Sequence, residues 1–160
     1  MLSRIKEERL PVIAAPVDSR AFSDELNSAR SHVLDLISRH LTEFGDKFPA
    51  ETCQNGFYPL TDNVEWTTSF WTGQLWLAWE MSGEEKFRAM AEKHVRSFGL
   101  RIAGRNDTNT HDLGFLYTLS CVAAWRLTGN REARGFSLLA AEALLERGMK
   151  LDGYLAWAAK

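Results

Sequence analysis

Two stretches of this chain are apolar on every side of a helix, and each is followed by a stretch that is apolar on one side only. Residues 67–82 place Phe70, Trp71, Leu75, Trp76, Leu77, Ala78, Trp79 and Met81 around the whole circumference. A helix of that kind expects neighbours on all sides. Residues 84–102 carry a single stripe: Phe87, Met90, Ala91, His94, Val95 and Phe98. Residues 113–128, LGFLYTLSCVAAWRLT, are again apolar all round. Residues 130–148 are again striped, through Ala133, Phe136, Ala140, Ala143 and Leu144. Before them, Leu26, Ala29, Val33, Leu36, Ile37, His40, Leu41 and Phe44 form another stripe, with Ser23 as N-cap and Gly45 as stop. Residues 46–66 show no period and read as a loop, with a short extended piece near Phe57 and Tyr58. The alternation predicts an all-α, double-layered toroid. Its inner helices are walled in, and its outer helices show one face to water.

An internal repeat sharpens this reading. AWEMSGEEKFRAMA (78–91) aligns with AWRLTGNREARGFS (124–137) at an offset of 46. Gly83 matches Gly129, and each can end an inner helix and turn the chain outward. The same offset carries Trp66 onto Asp112, and one further step falls within a residue of Trp157. Equivalent positions of a toroid share one rim, so Trp66, Asp112 and Trp157 are expected at one mouth.

The totals exclude several classes. With 160 residues the chain is read as one domain, 1–160, with 1–20 an irregular lead-in. A net charge of −2 and scattered basic residues leave no nucleic-acid or membrane footprint. No stretch approaches the roughly 18 apolar residues of a membrane span. The first residues, MLSRIKEERLPVIAAP, hold no signal-peptide core, so a cytoplasmic location is expected. Cys53 and Cys121 fit neither a zinc spacing nor a disulfide framework, and Cys121 reads as a buried thiol. His32, His40, His94 and His111 show no ligand spacing; His40 and His94 lie on apolar stripes.

Four of the six tryptophans lie in NVEWTTSFWTGQLWLAW, residues 63–79. Trp71, Trp76 and Trp79 sit inside the apolar run and read as wall. Trp66 stands outside it, among Asn63, Glu65, Thr67 and Thr68. Its indole face suits stacking on a sugar ring, and plain packing is the competing reading. Asp112 is either an N-cap, its carboxylate accepting first-turn N–H groups, or a rim carboxylate. His111 is its neighbour or a loop residue. Glycosidic chemistry usually wants two carboxylates. Asp62, Glu65, Asp107 and Asp152 each make a poor second.

Taken together, NVEWTTSFWTGQLWLAWE, HDLGFLYTLSCVAAWRLTG and the later GYLAW resemble the unsaturated glucuronyl hydrolases, glycoside hydrolase family 88. The resemblance implies an (α/α)6 barrel, of which this chain would form an N-terminal part of about five helices. It implies an unsaturated uronic-acid oligosaccharide as substrate, with neither metal nor organic cofactor. An acid protonates the C4=C5 vinyl ether, water adds at C5, and the resulting hemiketal rearranges with loss of the glycosidic bond. By the same resemblance Asp112 is catalytic, while Trp66, Trp157 and His111 contact the sugar.

The family's principal acid/base aspartate lies beyond the 48 residues that follow Asp112 (160 minus 112). The chain alone is therefore expected to be inactive. Inner helices without neighbours are expected to self-associate through the open barrel edge. A non-catalytic helical-repeat or sugar-binding module is the alternative function, separable by whether Trp66 and Asp112 share a rim.

Overall fold

The computed structural model describes residues 19–150. Among them the fold is helical, with one minimal sheet. Helix α1 (Ser19–Phe44) already runs at residues 19 and 20, so the irregular lead-in does not extend that far. Ser23 lies inside it and caps nothing. The rest of the lead-in, Asp152 and Trp157 lie outside the described residues. Residues up to Val33 form one compact unit and those from Leu34 onward a second. In the first, Leu26 and Val33 of the expected stripe are exposed.

Everything that follows belongs to the second unit. The C-terminal part of α1 buries Ile37, and Phe44 meets the ring of Trp71 edge-on at 5.1 Å. Gly45 ends the helix, its N–H donating to the Leu41 carbonyl at 3.2 Å. The loop after it contains β1 (Phe48–Pro49) and β2 (Leu60–Thr61), paired antiparallel. The extended residues thus flank Phe57 and Tyr58, both of which are exposed near the hairpin tip.

Helices α2 (Thr68–Ser82) and α3 (Glu85–Ala103) follow. A continuous helical run then comprises α4 (Leu113–Tyr117), a π-helical turn (Thr118–Val122) and α5 (Ala123–Thr128). Helix α6 (Arg131–Lys150) closes the described chain. The core is built where these meet: Trp71, Leu75, Trp76, Phe87, Val95, Phe98, Leu113, Leu116 and Cys121 are buried. Burial pushes the Cys121 thiol up to about 12, so it stays protonated. The sequence stripe of α3 is its buried face, with His94 fully inside.

The repeat at 46 holds down to single atoms. Gly83 and Gly129 both take positive φ, 72° and 74°. Their N–H groups donate to Trp79 and Trp125 at 2.7 and 2.9 Å. Ser82 and Thr128 return their hydroxyls to the carbonyls of Ala78 and Ala124, each at 2.7 Å. Arg88 lies over the Trp79 ring and Arg134 over the Trp125 ring, at 5.1 and 5.4 Å.

The two inner helical runs lie side by side in the same direction. A Cβ on Gly73 would meet that of Leu119, again 46 positions on, at 3.3 Å. One expectation fails. The inner helices are not buried all round: Phe70, Leu77 and Met81 on α2 are exposed, as are Phe115 and Trp125 on the next run. Phe70, Leu77 and Met81 lie on one exposed α-helical stripe.

Candidate functional site

Asp112 stands immediately before one inner helical run and Trp66 two residues before the other, and those runs pack in parallel register. Both residues therefore lie at the same end of the pair. Trp66 is 44% exposed, unlike Trp71 and Trp76 at 2% and 1%. Its ring meets Phe70 edge-on at 6.1 Å, and Phe70 stacks on Phe115 at 6.4 Å. An open row of three aromatic rings runs from Trp66 to the first turn of α4. Trp79, read as wall, is only partly buried beneath Arg88.

Asp112 occupies the N-cap position of α4, but its carboxylate bonds to no first-turn N–H. The capping role is not what holds this aspartate. Thr110 donates its hydroxyl to one carboxylate oxygen at 2.7 Å, and His111 Nε2 lies 3.0 Å from the other. The backbone N–H of Asp112 in turn donates to Thr110 Oγ1 at 3.1 Å. The carboxylate side chain is 15% exposed and that of His111 24%. Both are open enough for a ligand to reach and enclosed enough for charge to matter.

The other carboxylates weighed as partners are committed elsewhere or exposed. Glu65 accepts the N–H of Glu51 at 2.5 Å, Asp62 pairs with Lys47 at 2.5 Å, and Asp107 is exposed. No cluster of three or more potential metal ligands occurs among the described residues.

The loops bearing these residues are held from beneath by Arg101, which is 4% exposed. Nη2 donates to the carbonyls of Val64 and Asp107, at 3.0 and 3.2 Å. Nη1 donates to the Glu65 carbonyl at 2.9 Å and to Asn63 Oδ1 at 3.0 Å. Asn63 also accepts from Thr68 Oγ1 at 2.8 Å and donates to Ser97 at 3.3 Å. Burial lowers the Arg101 pKa from the ordinary arginine value, and no carboxylate pairs with it among the described residues.

An enclosed cation without a counter-ion costs several kcal/mol unless hydrogen bonds offset it. Here backbone carbonyls supply most of those bonds. Sequence reading missed Arg101, although a signal existed: it lies three residues beyond Phe98, on the buried stripe of α3. In sequence Phe70 and Phe115 fall only within the runs expected to be buried on all sides, not in an open row.

Two clefts adjoin this end. One of about 330 Å³ is lined by His40, Phe44, Tyr58, Thr67, Phe70 and Gln74, so Phe70 borders both it and the aromatic row. A wider one of about 710 Å³ lies between the ends of α3 and α6 and touches none of Trp66, His111 or Asp112.

No family model matches the chain. Individual relatives do. Over 135 residues it is 42% identical to an unsaturated chondroitin disaccharide hydrolase of Streptococcus pneumoniae, covering 84% of this chain and 34% of that protein. The crystal structure of an unsaturated glucuronyl hydrolase from Streptococcus agalactiae superposes with a TM-score of 0.81 at 34% identity, over 96% of this chain and 41% of the other. A mutant of that enzyme, solved in complex with dGlcA-GalNAc6S, matches at 41% identity with a TM-score of 0.75, over 77% of this chain and 33% of the other.

The chain thus spans about two fifths or less of the proteins it matches. The helical hairpins described above are part of the (α/α)6 barrel of these hydrolases. Over the part of their length that it spans, the chain is similar in both sequence and fold to the unsaturated glucuronyl hydrolases.

Proposed function

We propose that this chain supplies the sugar-binding half of a hydrolase that removes a 4,5-unsaturated uronic acid from the non-reducing end of an oligosaccharide. Trp66 stacks on the unsaturated ring, with Phe70 and Phe115 extending the apolar floor. Asp112 and His111 bond to the sugar hydroxyls, and Asp112 supports a second acid. By the family resemblance, Trp157 is assigned a further sugar contact.

The observation that carries this reading is the state of the Asp112 carboxylate. It is oriented by Thr110 and His111 instead of being spent on the first turn of α4. A helical scaffold with no ligand has little use for such an arrangement beside an open indole.

The reaction is hydration of a vinyl ether. The C4=C5 bond takes a proton, water adds at C5, and the hemiketal opens with loss of the glycosidic bond. General acid–base work of this kind needs a donor whose proton reaches carbon. Among the described residues at the mouth, Glu65 is engaged by the Glu51 N–H, and the partly enclosed Asp112 is held as a positioned acceptor by Thr110 and His111. The proton donor is therefore a second group, to which Asp112 is the partner.

Titration of the 160-residue chain with the unsaturated chondroitin disaccharide tests the reading. Saturable binding that Trp66→Ala weakens at least about tenfold is expected, with no loss of the ultraviolet absorbance of the C4=C5 bond. Absence of binding would overturn the sugar site, and clear turnover would overturn the assignment of a binding half alone. We also propose that the exposed stripe on α2 makes copies of the chain associate.

A further inference from the structure

Resting on that reading, we infer that Arg101 is a positioning residue: its buried guanidinium sets the separation between the Trp66 loop and the loop that presents His111 and Asp112.

The two loops come from different places, residues 62–67 before α2 and residues 104–112 before α4. Neither has regular secondary structure to hold its shape. Arg101 lies in the last turn of α3, between them. One fork of its guanidinium holds Val64 and Glu65, the two residues before Trp66. The same fork reaches Asp107, five residues before Asp112. Arg105 and Asp107 take positive φ, 53° and 47°, which few side chains adopt without an external hold. The hydrogen bond from Arg101 to the Asp107 carbonyl is such a hold.

The residue type matters as much as the place. Only a planar cation with several fixed N–H donors can reach four acceptors from two loops at once. A lysine keeps the charge but has a single nitrogen, so it can satisfy one loop or the other. An apolar residue fills the space and leaves the Val64 and Asp107 carbonyls unanswered, while Glu65 keeps only its bond from Thr68. Asn63 extends the clamp, since its side chain bridges Arg101, Thr68 and Ser97. A guanidinium here therefore fixes the gap that a sugar ring must span, without touching the sugar.

The test uses the full 160-residue chain and the unsaturated chondroitin disaccharide, with affinity followed by NMR titration. Arg101→Lys should stay folded and bind at least about tenfold more weakly, because small displacements of positioned groups carry large penalties. Val95→Ala, a core truncation on the same helix that removes no hydrogen bond to either loop, is the control for lost stability. A double-mutant cycle gives the readout that a merely structural role would not move. If Arg101 acts through Trp66, the losses in Arg101→Lys and Trp66→Ala should be strongly non-additive, whereas Val95→Ala and Trp66→Ala should add.

Should Arg101→Lys fail to fold, Asn63→Ala removes one acceptor of the clamp and should weaken binding in the same direction by a smaller factor. Binding by Arg101→Lys equal to that of the unsubstituted chain would overturn the inference. So would additivity with Trp66→Ala, or, where Asn63→Ala is used, unchanged affinity. No binding by the unsubstituted chain would instead overturn the sugar-site reading beneath it.

Discussion

Ser69 donates its hydroxyl to the backbone carbonyl of Phe115 at 3.2 Å, and the two residues are 46 positions apart. The spacing of the sequence repeat is thus also the contact spacing of the inner helices. Residues one repeat apart touch, as Gly73 and Leu119 do further along. This bond lies one turn inside the mouth that holds Trp66 and Asp112. Ser69→Ala should lower stability by about 1 kcal/mol, the net worth of a buried hydrogen bond, read as a shifted urea midpoint.

Asp112 separates stability from binding. A capping aspartate replaced by a non-capping residue costs roughly 1 kcal/mol. Here no first-turn N–H depends on the carboxylate. Asp112→Ala should move the denaturation midpoint by less than that, while affinity for the unsaturated disaccharide falls by at least about tenfold, or about 1.4 kcal/mol. A loss of stability with affinity unchanged would return the residue to the capping role.

Period and spacing are properties that a sequence carries directly. The alternation of fully apolar and striped helices and the repeat at 46 sufficed to order the helices and to put Trp66 and Asp112 at one end. For Arg101 the period carried only its place, three residues beyond Phe98 on the buried stripe of α3. Its charge marks it as a surface residue, and only three-dimensional contact shows that four acceptors surround it. The fate of the Asp112 carboxylate was hidden for a related reason. N-cap position and N-cap bonding look the same in sequence, and Thr110 and His111 decide between them. Full burial of α2 was over-read because an apolar surface states what a helix can cover, not what covers it.

Acid should destabilise the fold through His94. Burial, and secondarily the charge of Lys93, pull its pKa from 6.5 to about 4, against a weaker opposing pull from Asp46. The unfolded chain therefore binds the proton first. Stability is full above about pH 6.5 and falls as pH drops toward about 4, by up to about 3 kcal/mol. Nδ1 lies 3.0 Å from Thr72 Oγ1 and the ring packs against Phe48 at 4.3 Å, while Nε2 is buried with no hydrogen-bond partner among the described residues, so nothing there accepts from a protonated ring. His94→Gln should be less stable at neutral pH and should flatten the slope of stability between pH 4 and 6.5, measured by urea titration at several pH values.

The two helix-ending glycines offer a paired measurement. Gly83 and Gly129 share φ near +70° and the same backbone bond to the residue four positions back. Nothing stands within 4 Å of a Cβ built on either. Each Gly→Ala change is therefore a conformational penalty of about 1–2 kcal/mol without a steric one. Thermal unfolding of the two variants should show nearly equal losses, and a large inequality would mean that the repeats are not equivalent at their turns.

The exposed stripe on α2 predicts concentration-dependent association. Phe70, Leu77 and Met81 are 42%, 57% and 36% exposed. Beside them a shallow apolar groove of about 290 Å³ runs between Gly73, Leu77, Leu119, Ala123 and Leu127. Contiguous apolar surface of this kind tends to be covered in solution. Leu77 lies at the middle of the stripe and makes no contact that the sugar mouth depends on. Leu77→Lys should thus disperse the chain toward monomer in sedimentation velocity, while disaccharide affinity stays within about twofold, far below the tenfold that 1.4 kcal/mol represents. A unsubstituted chain that sediments as a monomer at all concentrations would remove the stripe as an association surface.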